Sequence, residues 1–213
     1  MVRALGATVL GLGVLVLPAC ASTSATIRKS WQDPAITAST LAFDKVLVVG
    51  VLTDSTQRRK AEDELVLSIQ AGPRGQAGEV TATAAHTLLG ATGVGNAEAL
   101  RSSVSGRDFD GAVTLRFVGS EYRISWEPDS FPAPYHDFWS YYAWGWRTAT
   151  QPGYFRMDTS QLVETNVYSL PEGKLVWSAL SESFNPASSR KLTAAVARAI
   201  GEELRKQGLI AGG

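Results

Sequence analysis

The strongest hydrophobic signal in the chain is Lys45 to Val51, where Val46, Leu47, Val48, Val49 and Val51 make a nearly unbroken β-branched run. Such a run predicts a strand covered on both faces, because a half-exposed strand would alternate. Thr53-Asp54-Ser55 then offers capping oxygens. Thr56 to Ala71 carries Ala61, Leu65 and Ile69 at the spacing of one helical face, and Gly72-Pro73 stops it. On that helix Arg58 and Glu62 stand one turn apart and are expected to form an ordinary solvated pair. A weaker strand is expected within Glu79 to Ala84, followed by a loop over Gly90 to Gly95 and a short helix capped by Asn96 and running to about Ser105.

Asp110-Gly111 leads into Ala112 to Val118, where Val113, Leu115 and Phe117 face one way and Thr114 and Arg116 the other, as in a strand with one wet face. It is expected to continue, after a break, through Tyr122 to Trp126. Gln161 to Ser169 and Lys174 to Ser183 read as a hairpin around Leu170-Pro171-Glu172-Gly173, whose proline presets a turn and whose glycine accepts positive φ. From Ser188 or Ser189 to about Gln207, an apolar stripe of Leu192, Val196, Ala199, Ile200 and Leu204 predicts a helix that Gly208 ends. This order predicts a single α/β domain over residues 43–213, a mixed β-sheet with about three helices.

One segment departs from the pattern. Ten of the nineteen aromatic residues fall between Phe131 and Phe155, punctuated by Pro132, Pro134 and Pro152, with a period that fits neither helix nor strand. Residues 128–156 are therefore expected to be an irregular, aromatic-rich insertion between strands. Its rings have three possible uses. They could cover a sheet face and complete the core. Tyr135, Trp139, Tyr141, Tyr142, Trp144 and Trp146, with Arg147, could form a surface for a protein partner or for self-association. They could also make a saccharide platform or a membrane-contacting edge.

The beginning of the chain has a different character. Arg3 is followed by fourteen uncharged residues, Ala4 to Leu17, the layout of a secretory signal over residues 1–19 and too short to span a bilayer comfortably. The run ends in Leu17-Pro18-Ala19-Cys20, which resembles the lipobox of bacterial lipoproteins. That resemblance implies cleavage before Cys20 and a diacylglyceryl thioether on its sulfur, a lasting membrane anchor. Ala21, where an Asp would imply retention at the inner membrane, implies the outer membrane. Residues 20–42 then read as the lipidated N-terminus and a small, polar tether, with Trp31-Gln32-Asp33-Pro34 marking where the chain meets the domain.

Charge and chemistry narrow the function. Twenty basic and twenty acidic residues provide no field for a polyanion, so no nucleic acid partner is expected. One cysteine cannot close an intrachain disulfide, and with two histidines it leaves too few soft ligands for a structural zinc. Gly-x-Ser-x-Gly is absent, and neither His86 nor His136 has a nucleophile in its sequence context. Gly93-Val94-Gly95-Asn96-Ala97-Glu98 lacks the third glycine of a dinucleotide loop, and Gly72-Pro73-Arg74-Gly75 lacks the Lys-Ser/Thr ending of a phosphate loop. Glu62-Asp63-Glu64 are consecutive on a helix and diverge. No catalytic residue, cofactor or metal is expected.

Several phrases carry a resemblance: Lys45-Val46-Leu47-Val48-Val49-Gly50-Val51 followed by Arg58 to Leu65, Asp110-Gly111-Ala112-Val113, Glu164-Thr165-Asn166-Val167-Tyr168 and Leu175-Val176-Trp177-Ser178. Over residues 43–210 the chain resembles a family of bacterial lipoproteins without an assigned activity, distantly similar to the TolB amino-terminal domain and the globular part of the curli secretion lipoprotein. The resemblance implies a TolB amino-terminal-like fold and brings no catalytic residue. The expectation is a periplasm-facing outer-membrane lipoprotein, anchored through Cys20, that acts as a non-catalytic binding or assembly component. Its partner would be an envelope protein or a saccharide. Two alternatives stand beside it: an envelope hydrolase acting on glycan or peptide, and a subunit of a secretion pore.

Overall fold

The run Lys45–Val51 is strand β2, and it divides its side chains between two apolar clusters, Val46 and Val48 in one and Leu47 and Val49 in the other. Both faces of β2 are thus covered, which is why its sequence does not alternate. The computed structural model describes residues 23–36, 42–71, 80–89, 94–127, 137–150 and 153–210. Around β2 it places β1 (Thr26–Gln32), β3 (Thr81–Ala84), β4 (Gly111–Glu127), β5 (Tyr154–Ser169) and β6 (Lys174–Phe184) in a mixed six-stranded sheet of order β1-β6-β5-β4-β2-β3. Strand β2 runs parallel to β3 and β4; the remaining pairs are antiparallel.

Helices α1 (Ser55–Gln70) and α4 (Ser189–Lys206) lie side by side on one face. Ala61, Leu65 and Ile69 of α1 and Val196, Ile200 and Leu204 of α4 meet Val46, Val48, Val113, Val167 and Trp177 in the main core. The two helices approach through Gly201, where a Cβ would stand 2.8 Å from the Ser68 carbonyl oxygen. Arg205 Nη1 then donates to the Ser68 and Ala71 carbonyls, each at 2.9 Å, satisfying the end of α1. The opposite face is thinly covered: α2 (Ala97–Val104) brings Leu100 and Val104 over Leu47, Ala85 and Ala112. Asp54, Asn96 and Ser188 cap α1, α2 and α4 as their sequence positions predict.

The fold is the single α/β domain expected, with four α-helices among the described residues. The additional one is α3 (Phe138–Thr150), in the segment expected to be irregular. Asp137 starts it by accepting from the Ser140 N–H at 2.9 Å and its hydroxyl at 2.7 Å. Phe138, Tyr142 and Trp146 then stack at i, i+4 spacing, with ring centroids 5.9 and 6.3 Å apart. A helix with rings on nearly every side has no polar stripe, so its period is hidden in the sequence.

Three further expectations change. The break expected within the fourth strand is a β-bulge between Phe117 and Gly119, through which β4 continues to Glu127. Strand β5 begins at Tyr154, so Tyr154 and Phe155 belong to the sheet. The stretch read as tether is strand from Thr26 to Gln32, paired with β6. Beyond it, Asp33 binds Lys174 and the Ala35 N–H, while the Asp33 N–H donates to Val176 at 3.0 Å. The signal segment and Cys20 lie outside the described residues.

Candidate functional site

Strands β4 and β5 outrun their neighbours. Strand β2 accompanies β4 only to Arg116, and β6 accompanies β5 only from Ser160 onward, with Asn185 bonding the Thr159 backbone just beyond, so among the described strands Tyr122–Glu127 and Tyr154–Asp158 have only each other. At about 3.4 Å per residue the six residues of β4 carry this two-stranded arm some 20 Å past the sheet.

Residues paired across an antiparallel ladder share a face. One face of the arm carries Glu121 with Ser160, Arg123 with Asp158 and Ser125 with Arg156. Asp158 anchors it, accepting from Asn185 Nδ2 at 2.7 Å and from Arg156 Nε at 2.9 Å. The Asn185 amide, and after it the Arg156 guanidinium, hold the Asp158 carboxyl below the usual carboxylate range against the opposing effect of burial. At the base Arg28 of β1 bridges Glu121 and Glu182, each at 3.0 Å. The other face carries Tyr122 with Thr159 and Ile124 with Met157, followed by Phe155. These four large side chains are 62–75% exposed. Their face continues the one that α1 and α4 cover, and a cleft of about 360 Å³ lined by Leu52, Leu115, Phe117, Val163 and Leu192 opens where the helices stop.

Helix α3 interrupts the chain between β4 and β5, and among the described elements it has no extensive packing partner. Trp139, Tyr141, Tyr142 and Trp146 are each more than half exposed, whereas Trp144 is partly buried, its ring 5.9 Å from that of Tyr141. Four of the predicted surface residues are thus brought to one exposed helix, and the reading in which all the rings complete the core does not describe them. Tyr135 lies outside the described residues, and Arg147 belongs to α3 with its side chain outside them. Sequence reasoning missed Tyr122, Ile124 and Met157; the available signal was the alternation of Tyr122 and Ile124 with Glu121, Arg123 and Ser125.

A second feature sits where β2 and β3 part. Strand β3 pairs with β2 only as far as Ala84 against Val48, and the two strands then lead to helices on opposite faces, β2 into α1 and β3 toward α2. Parallel strands whose connections diverge leave a crevice at their carboxyl ends. Here it holds about 520 Å³. Glu62, expected to be solvated, is 2% exposed and fills the gap in the hydrogen-bond ladder. Its Oε1 accepts the Gly50 N–H at 2.9 Å, and its Oε2 accepts the His86 N–H at 2.8 Å and Nδ1 at 2.7 Å. Arg58 does not pair with it but donates to the Leu52 carbonyl at 3.3 Å. His86 is therefore a satisfied histidine; His136 lies outside the described residues. Among the described residues no group of acidic, histidine and cysteine side chains could hold a metal, and no helix is long and apolar enough to cross a membrane.

No family model and no curated protein matches the chain. Among solved structures it is similar to the PelC dodecamer from Paraburkholderia phytofirmans, with 14% sequence identity and a TM-score of 0.42 over 88% of this chain and 99% of that one. A single-substitution variant of the same dodecamer gives the same identity and TM-score over 88% and 98%. A likeness at this level carries no role across.

Proposed function

We propose that the protein is a lipid-anchored component of the bacterial envelope, held through Cys20 at the periplasmic face of the outer membrane and working by contact without catalysis. The envelope location is what the lipobox-like Leu17-Pro18-Ala19-Cys20 and the resemblance to bacterial lipoproteins without an assigned activity imply. The observation that carries the contact role is the arm, whose apolar side chains Tyr122, Ile124, Phe155 and Met157 are 62–75% exposed and whose strands are joined through a helix bearing the exposed rings of Trp139 and Trp146. A contiguous exposed apolar patch backed by a polar face is the mark of an interaction surface. Tyr and Trp supply large, rigid contact area to such a surface at little entropic cost.

The placement of the N-terminus supports the same reading. Thr26 pairs with Glu182, the Ser183 hydroxyl donates to the Ser24 carbonyl at 2.8 Å, and Arg28 reaches Glu121, so β1 starts where the arm leaves the sheet. Four residues fully extended span at most about 14 Å, so an acyl group on Cys20 stays close to the base of the arm. Confinement there raises the effective concentration of the arm toward envelope proteins and saccharides without any new contact. The shared end also favours a second reading, in which the arm and α3 lie against the bilayer with their rings at headgroup level.

In-envelope crosslinking from Trp139 and Phe155 tests the proposal. A discrete protein adduct, or transfer to glycan, that disappears in an Ile124→Ser/Phe155→Ser variant is expected; transfer to lipid alone selects the second reading. Monomer free of any adduct overturns both. Fractionation of Cys20→Ser tests the anchor separately: release from membranes is expected, and retention removes lipidation from the account.

A further inference from the structure

The crevice between β2 and β3 is independent of the arm and of the anchor, and its lining is uneven in a way that selects a ligand. Val49, Val51, Leu89, Val94 and Leu100 make its walls apolar, yet Val51 and Val94 remain 52% and 40% exposed. An aliphatic chain laid along these side chains covers what no described residue covers. The polar part is small and one-signed. Glu62, the single carboxylate on the lining, has both oxygens taken by three N–H donors. Arg58 is the single permanent cation; it donates one N–H to the Leu52 carbonyl and has no acidic partner among the described residues.

We infer that this crevice binds a single-chain anionic amphiphile, a long-chain carboxylate, with the chain against Val49, Val51, Leu89, Val94 and Leu100 and the head group on Arg58. The volume, about 520 Å³, is that of a small-molecule site. A sugar would leave most of its hydroxyls unpaired against these walls. A nucleotide would bring several negative charges to one guanidinium. A carboxylate matches the planar fork of Arg58 in charge and shape.

The test uses the full chain carrying Cys20→Ser, so that no acyl chain of its own competes, with sodium dodecanoate as probe in isothermal titration below its micellar concentration. Uptake of one dodecanoate per protein is expected, with dodecanol, the same chain without the charge, at least roughly tenfold weaker and acetate silent. Arg58→Gln brings dodecanoate to the dodecanol level. Leu100→Trp fills the crevice and abolishes both; Val94→Trp, on the exposed rim, blocks it with less burden on the fold, and circular dichroism reports whether each variant is folded. Phe155→Ser on the arm leaves binding unchanged. The inference is overturned if dodecanoate gives no saturable heat, if binding survives both tryptophan variants in folded protein, or if it vanishes with Phe155→Ser.

Discussion

The two halves of the β4–β5 ladder follow the same alternation and end in opposite environments. In the inner half, Val113, Leu115, Val163 and Val167 are at most 5% exposed beneath α1 and α4. In the outer half, past the bulge at Phe117/Gly119, Tyr122, Ile124, Phe155 and Met157 occupy the same face and lie open. The difference does not reside in the strands. It arises because α1 and α4 cover only the part of the sheet that β2 and β6 share with them. Full burial of one such side chain contributes about 1.5–3 kcal/mol, so the outer half holds a stabilisation that no described residue draws on.

The contrast can be broken from the inside first. Trp177→Ala, opposite Val167 and 1% exposed, is expected to cost about 3–5 kcal/mol in urea unfolding, whereas a loss under 1 kcal/mol would mean that the inner half is not the core. Glu62→Ala leaves the Gly50 and His86 N–H groups without their acceptor and is expected to cost about 3 kcal/mol, with Glu62→Gln recovering part of it by keeping one oxygen.

Acid sharpens the contrast further, because it acts on Asp158 of the arm's polar face and on Asp33 at the opposite end of the sheet. Asp158 is held below the usual carboxylate range by Asn185 first and then Arg156, and Asp33 by Lys174 first and then the Ala35 N–H. A folded-state pKa below the unfolded one makes the ionised group stabilising. The contribution is complete above the ordinary carboxylate range and is lost as pH falls through the folded-state value. The melting temperature is therefore expected to be level from pH 7 to about 5 and to fall below about 4. Asn185→Ala should shrink that fall, and an unchanged acid limb would remove Asp158 from the explanation. The smallest effect on stability belongs to the outer apolar face: Ile124→Ser and Met157→Ser should each move it by no more than about 0.5 kcal/mol while reducing the crosslinked adduct. A large destabilisation would mean that this face is already covered.

How much of this is visible in the residues depends on where the deciding partner lies. The strand at Lys45–Val51, the helix bearing Ala61, Leu65 and Ile69, the Leu170–Gly173 turn and the final helix are legible because run length, spacing and caps are all local. Strand β1 was hidden: Ile27 and Trp31 stand among charged and polar neighbours, and only a strand near the far end of the chain makes them sheet. The buried state of Glu62 was equally hidden, since its acceptor role follows from β3 leaving β2 after Ala84. For α3 the sequence did hold a signal, Asp137 as cap before rings at 138, 142 and 146, masked by further rings on the other sides. The aromatic cluster was legible as an exception; the arm that carries it was not, because alternation alone does not say whether the apolar side will be covered.

The pairing of β1 with β6 has a temporal consequence. Strand β1 is synthesised long before the β6 strand that it pairs with, so this sheet edge cannot zip shut until β2 to β6 have all been delivered. Throughout that interval the backbone N–H and C=O groups of Thr26–Gln32 wait without their strand partner, an edge open to mispairing.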